Sequence, residues 1–148
     1  MSNSIKRDRN IELFIFDIFI AIQKIKKVAS EFDDVEKLIY DFKSWDSIIR
    51  EFEIIGEATK YLLKNSLLSK DYQEIVDFRN QITHAYFGID PDIVWTIIHT
   101  DLKPFEDVIK ELINNIEQNL RDKLIDAYIK DNHYLSFIVS ALKDIKTQ

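Results

Sequence analysis

The sequence predicts an all-α protein, and three observations carry that prediction. Gly and Pro occur only twice each in 148 residues, which leaves few turn formers and argues for long helices joined by short loops. Apolar residues recur at helical spacing along most of the chain, and no strand is predicted anywhere. A hydrophobic content of 46% beside 31% charged residues is that of a packed globular chain, of a size suited to one domain.

The first helix is expected from about Asp8 to Ser30, with Phe14, Ile18, Ile22 and Ile25 in helical register. Its most apolar stretch, Leu13 to Ile22, is about half the roughly 20 residues a membrane span needs, and Asp17 sits inside it. It also lacks the uninterrupted apolar centre and the cleavage site of a signal peptide. The segment therefore reads as a helix apolar on more than one face, central in the fold or at a subunit contact, in a protein without a membrane partner.

A polar stretch from Glu31 to Glu36 and a short helix to about Asp41 come next. Ser44 is the expected cap of a long helix whose stripe is Trp45, Ile48, Ile49, Phe52, Ile55, Thr59, Leu62 and Leu63. Gly56 interrupts that stripe at a cost of about 1 kcal/mol against Ala. Close approach of another helix backbone would compensate, and Glu57 falls beside the approach point.

A third major helix is expected over Lys70 to Tyr86, with Gly88 as its stop. Asp90 and Pro91 read as cap and first turn of the next helix, which aligns Val94, Ile97, Ile98, Phe105, Val108, Ile109, Leu112 and Ile116. Pro104 predicts a kink or break near Asp101 to Lys103. Leu124, Ala127, Tyr128, Leu135, Ile138 and Leu142 keep a helical rhythm to the end, interrupted at Asp131-Asn132. The whole reads as one domain over 1–148, with a core of about 7–119 and a helical extension over about 120–148.

A net charge of −6 and a pI near 5.1 argue against wide, nonspecific nucleic-acid coating, while leaving room for a small basic site or a basic partner. The absence of cysteine removes disulfides and thiolate zinc sites from consideration and fits the cytoplasm.

The chemistry concentrates in Arg79, Asn80, His84 and Tyr86, followed by Phe87-Gly88. Together they supply a permanent cation, a group that titrates near neutrality and a phenol. Metal-free cleavage of RNA needs the first two, a cation for the phosphate and a proton carrier for the 2′-hydroxyl and the leaving oxygen. Asn80 and His84, four apart, share a helix face, where the carboxamide could fix the imidazole tautomer. Arg79 and His84 stand about 140° apart on an ideal helix. Either the helix loosens before Gly88, or the site is composite and a second copy of the chain contributes. A symmetric dimer would place two His and two Arg around one cleft. On spacing alone, a buried hydrogen-bonded pair or a solvated face remains the plainer reading.

The pattern Arg79-Asn80-Gln81-Ile82-Thr83-His84-Ala85-Tyr86 resembles that of the HepT-like toxins of the HEPN (higher eukaryote and prokaryote nucleotide-binding) superfamily. Ile54-Ile55-Gly56-Glu57-Ala58, Phe87-Gly88-Ile89-Asp90, Ile93-Val94-Trp95 and the opening Arg7-Asp8-Arg9 are similar to further family segments, so the resemblance covers about Arg7 to Ile116. It implies an up-and-down antiparallel helical bundle that forms a homodimer with the motif at the interface. It also implies a metal-independent endoribonuclease, without cofactor, acting on cellular RNA such as tRNA or mRNA. Carried over, Arg79 would stabilise phosphorane charge, His84 would be general base or acid, and Asn80 would orient the site. The implied partner is a nucleotidyltransferase antitoxin that transfers AMP to Tyr86, placing bulk and negative charge before Arg79.

Glu57 is a candidate supporting residue that could hold Arg79, against the simpler reading of a solvated helix acid. His99, four after Trp95, reads as ring packing, and His133 as a surface residue. Their spacing with His84 lacks the pattern of a metal site. Lys24, Lys26 and Lys27 read as an exposed face rather than a phosphate track. The rival to a nuclease is a non-catalytic helical subunit that binds nucleotide or substrate for a nucleotidyltransferase.

Overall fold

The computed structural model describes residues 10–84 and 88–147. The expected charged start Arg7-Asp8-Arg9 and the motif residues Ala85, Tyr86 and Phe87 lie outside them. The described residues form helices α1 (Ile11–Ala29), α2 (Val35–Tyr40), α3 (Phe42–Lys64), α4 (Gln73–Thr83), α5 (Pro91–Thr96), α6 (Leu102–Asn114), α7 (Gln118–Asp131) and α8 (Ser136–Lys146). No strand occurs among the described residues, and the all-α expectation holds.

Helix α1 is the centre of the bundle. It packs against α3, α6 and α8, which is why its apolar residues do not keep to one stripe. Ile15, Phe16, Ile18, Phe19, Ile22 and Ile25 are all buried, each burial being worth about 1.5–3 kcal/mol. Among the described residues no helix is long and apolar enough to cross a membrane. Asp17 is accommodated by the hydroxyl of Tyr128, 3.1 Å from its Oδ1.

One polar cluster enters the core. Glu106 is 1% exposed and accepts from Gln23 Nε2 at 2.6 Å and from Lys26 Nζ at 3.0 Å. Burial alone would push its carboxyl up, but those hydrogen bonds and the Lys26 charge outweigh it and hold the pKa below the ordinary value. Lys26 thus pairs with a buried acid while its own side chain stays 47% exposed, as the sequence predicts.

Three boundaries differ from the sequence expectation. Asp41, not Ser44, caps α3: its carboxylate accepts from the Ser44 N–H at 3.4 Å, so the helix starts earlier and Ser44 lies in its first turn. The third helix divides into a 3₁₀ turn at Lys70–Tyr72 and α4, which ends at Thr83. The break before Pro104 takes the form of a π turn over Ile97–Asp101. Pro104 follows that π turn on a continuous helical backbone, since Asp101 and Leu102 both keep right-handed helical angles.

The extension belongs to the same core as the rest. Ile125, Ile138, Leu142 and Ile145 are buried in one cluster with α1, and α8 packs directly on that helix. Asp131 ends α7 where the sequence predicted an interruption. Lys146 Nζ reaches Asp126 Oδ1 at 2.8 Å and ties α8 to α7.

Candidate active site

Helices α3 and α4 build the site by unusually close contact. A Cβ placed at Gly56 would collide with the Cβ and Cγ of Arg79 and lie 3.5 Å from its Cα. The expected close approach is therefore real, and it is made at the root of the motif arginine. Any side chain at position 56 would push α4 away.

That contact sets the next residue on α3 beside the guanidinium. Glu57 Oε2 lies 3.1 Å from Arg79 Nη2. Arg79 Nη1 donates to Asn80 Oδ1 at 3.2 Å, and Nε is buried without a hydrogen-bond partner among the described residues. The arginine side chain keeps 31% of its surface exposed and Glu57 43%, so both charges remain reachable by a solute. Glu57 thus has the holding position that the sequence reading allowed for it. The Asn80 carboxamide faces Arg79 instead of fixing the imidazole.

His84 stands at the end of α4 with φ −108° and ψ 17°, and it is exposed. Its N–H still donates to the Asn80 carbonyl at 3.0 Å, so His84 is placed by the last turn of α4, on a different side from Arg79 by the helical rule. Helix α4 ends at Thr83, and Gly88 beyond it has φ +95°. Thr83 turns its hydroxyl back to the Arg79 carbonyl at 3.0 Å, the back-bond of a helical Thr to the carbonyl four residues earlier. Asp90 then accepts from the Asp92 N–H at 2.9 Å and opens α5 as predicted.

On another side of Glu57, an open groove of about 570 Å³ runs between α1, α3 and the end of α7, with no residue of α4 in its lining. Phe14, Lys24, Arg50, Glu51, Glu57 and Asn132 are among its lining residues. Burial pushes the Glu51 carboxyl above its ordinary value, and the charges of Lys24 and Arg50 offset this only in part. Nothing in the sequence singled out Glu51, because its environment comes from helices distant in the chain.

The remaining histidines are elsewhere. His99 packs its ring on Trp95 with centroids 4.2 Å apart, and its Nδ1 lies 2.8 Å from the Trp95 carbonyl. His133 sits exposed against Tyr134 at the α7–α8 junction. Among the described residues no group of three His, Cys, Asp or Glu side chains is placed to hold a metal ion.

A family model described as Ribonuclease HepT-like matches residues 18–112. The chain belongs to this family. The match to the HepT-like family runs from within α1 to within α6, taking in Glu57, Arg79, Asn80 and His84 and leaving α7 and α8 outside. A Methanocaldococcus jannaschii protein named "Putative RNase" is 26% identical over 121 residues, covering 76% of this chain and 98% of its own. A Thermococcus cleftensis protein named "Probable ribonuclease HepT" is 29% identical over 102 residues, covering 67% and 92%. A Caldanaerobacter subterraneus protein, also named "Putative RNase", is 30% identical over 95 residues, covering 62% and 80%. No solved structure matches the chain significantly.

Proposed function

We propose that this HepT-like protein is the toxin of a type VII HEPN/nucleotidyltransferase toxin–antitoxin pair, a metal-independent endoribonuclease that cuts cellular RNA. The observation that carries this reading is an exposed imidazole at a helix end, following an arginine whose guanidinium is anchored yet still open to solute. Arg79 binds the scissile phosphate and stabilises the charge of the phosphorane. His84 moves a proton, and Asn80 holds the guanidinium from its far side. Two copies of the chain meet at the motif, so that each helix end faces the same RNA strand.

Control rests with a nucleotidyltransferase that adds AMP to Tyr86. Two residues beyond His84, an adenylyl phosphate would compete with RNA for Arg79 and repel the incoming backbone. The acidic chain, at net charge −6, fits local capture of a structured RNA rather than a broad basic track.

The test is cleavage of tRNA and mRNA by purified protein in EDTA. Products should carry 2′,3′-cyclic phosphate ends, and His84→Ala should abolish cutting while circular dichroism stays unchanged. Normal cutting by His84→Ala, or complete dependence on added metal, would defeat the reading.

A further inference from the structure

Transfer of a phosphoryl group from O5′ to O2′ moves two protons, one off the attacking 2′-hydroxyl and one onto the leaving oxygen. The motif of one chain offers a single histidine. Around Arg79, Asn80 cannot exchange a proton under ordinary conditions, and the Thr83 hydroxyl is turned to a carbonyl 3.0 Å away. Glu57 is the proton acceptor that touches the guanidinium among the described residues, at 3.1 Å, and it is 43% exposed. It also lines the 570 Å³ groove, where apolar side chains such as Phe14 and Ile20 stand among the acids Asp17, Glu51, Glu53 and Asp131. That space is in the range that holds a small ligand, so a ribose beside Glu57 has somewhere to place its base.

We propose that Glu57 is the general base of the reaction and that His84 is left to serve as the acid. The inference rests on the nuclease reading above, in which the second copy's His84 would otherwise have to supply the base. The Glu57 carboxylate takes the proton from O2′–H as the O2′–P bond forms. Arg79, already beside that carboxylate, neutralises the equatorial oxygens. The P–O5′ bond breaks, and the His84 imidazolium gives its proton to O5′. Products are a 2′,3′-cyclic phosphate and a 5′-hydroxyl, and exchange with water resets both groups. The Gly56 contact gains a purpose in this scheme, because it fixes the base and the cation at one mutual distance.

Two substrates separate this role from mere support of Arg79. Cleavage of RNA needs both proton transfers, whereas uridine 3′-(4-nitrophenyl phosphate) releases 4-nitrophenoxide, which needs no acid. Glu57→Gln keeps an amide oxygen that can still accept from Arg79. It should slow both substrates by about 10²- to 10⁴-fold and lose the acidic limb of the pH–rate profile. His84→Ala should be slow on RNA and return close to the wild-type rate on the nitrophenyl ester. Glu57→Asp, which retains a carboxylate on a shorter arm, should keep the acidic limb at reduced rate. Near wild-type RNA cleavage by Glu57→Gln would show a positioning residue only and overturn the assignment. So would recovery of Glu57→Gln on the nitrophenyl ester, or failure of His84→Ala to recover there. A wild-type protein inert towards both substrates would instead defeat the nuclease reading itself, and this assignment with it.

Discussion

Gly56 and Arg79 are in such close contact that the glycine hydrogen faces the arginine stem with no room for a methyl group between them. Gly56→Ala would ordinarily help a helix by about 1 kcal/mol. Here the added carbon meets the Cβ and Cγ of Arg79, atoms too near the backbone to swing aside. The expected net loss is about 1–3 kcal/mol, read by urea denaturation. The penalty should vanish when the same change is made in an Arg79→Gly background. A penalty that persists there would mean that the collision is not its source.

Acid should weaken the fold partly through Glu106. Its folded-state pKa lies below the ordinary 4.5, so its stabilising contribution is present above that value. The contribution is lost as pH falls through the depressed value. Stability curves for Glu106→Gln should therefore be flatter than wild type below about pH 4.5, with a lower plateau at neutrality. Parallel curves would exclude a role for the Gln23–Glu106–Lys26 cluster in acid sensitivity.

Glu51 should act in the opposite sense. Its folded-state pKa is raised above the ordinary 4.5, chiefly by burial, so the folded chain binds the proton more tightly than the unfolded chain. Stability from this group falls as pH rises through the window above 4.5. Glu51→Gln is expected to be more stable than wild type at pH 7 and to lose that advantage on acidification. A variant less stable at pH 7 would show that the Lys24 and Arg50 charges outweigh the burial of the carboxyl.

Co-expression with a nucleotidyltransferase encoded beside this chain should add mass in steps of about 329 Da, one per AMP. Peptide mapping should place the addition on Tyr86, and Tyr86→Phe should abolish it. Mapping to any other residue would remove Tyr86 from the control scheme.

Much of the fold can be read from the sequence because the helices carry their own signals. The Asp90-Pro91 start, the interruption at Asp131-Asn132 and the mixed faces of α1 all reappear in three dimensions. Gly56 was legible as a close approach, but not the identity of the group it approaches, since that depends on how α3 and α4 cross. The Ser44 cap was misassigned because Asp41 offers the stronger acceptor three residues earlier. The surroundings of Glu51 are hidden in the sequence because they come from helices distant in the chain.

The packing of α8 on α1 makes the last helix a closing stave of the barrel instead of a loose pennant. A version cut after Asn115 would bare the flank of α1 now covered by Ile138, Leu142 and Ile145. It would shed the Tyr128 clasp on Asp17 at the same stroke. Shortening the chain to the span that the family model matches would thus yield a sticky fragment, not a minimal domain.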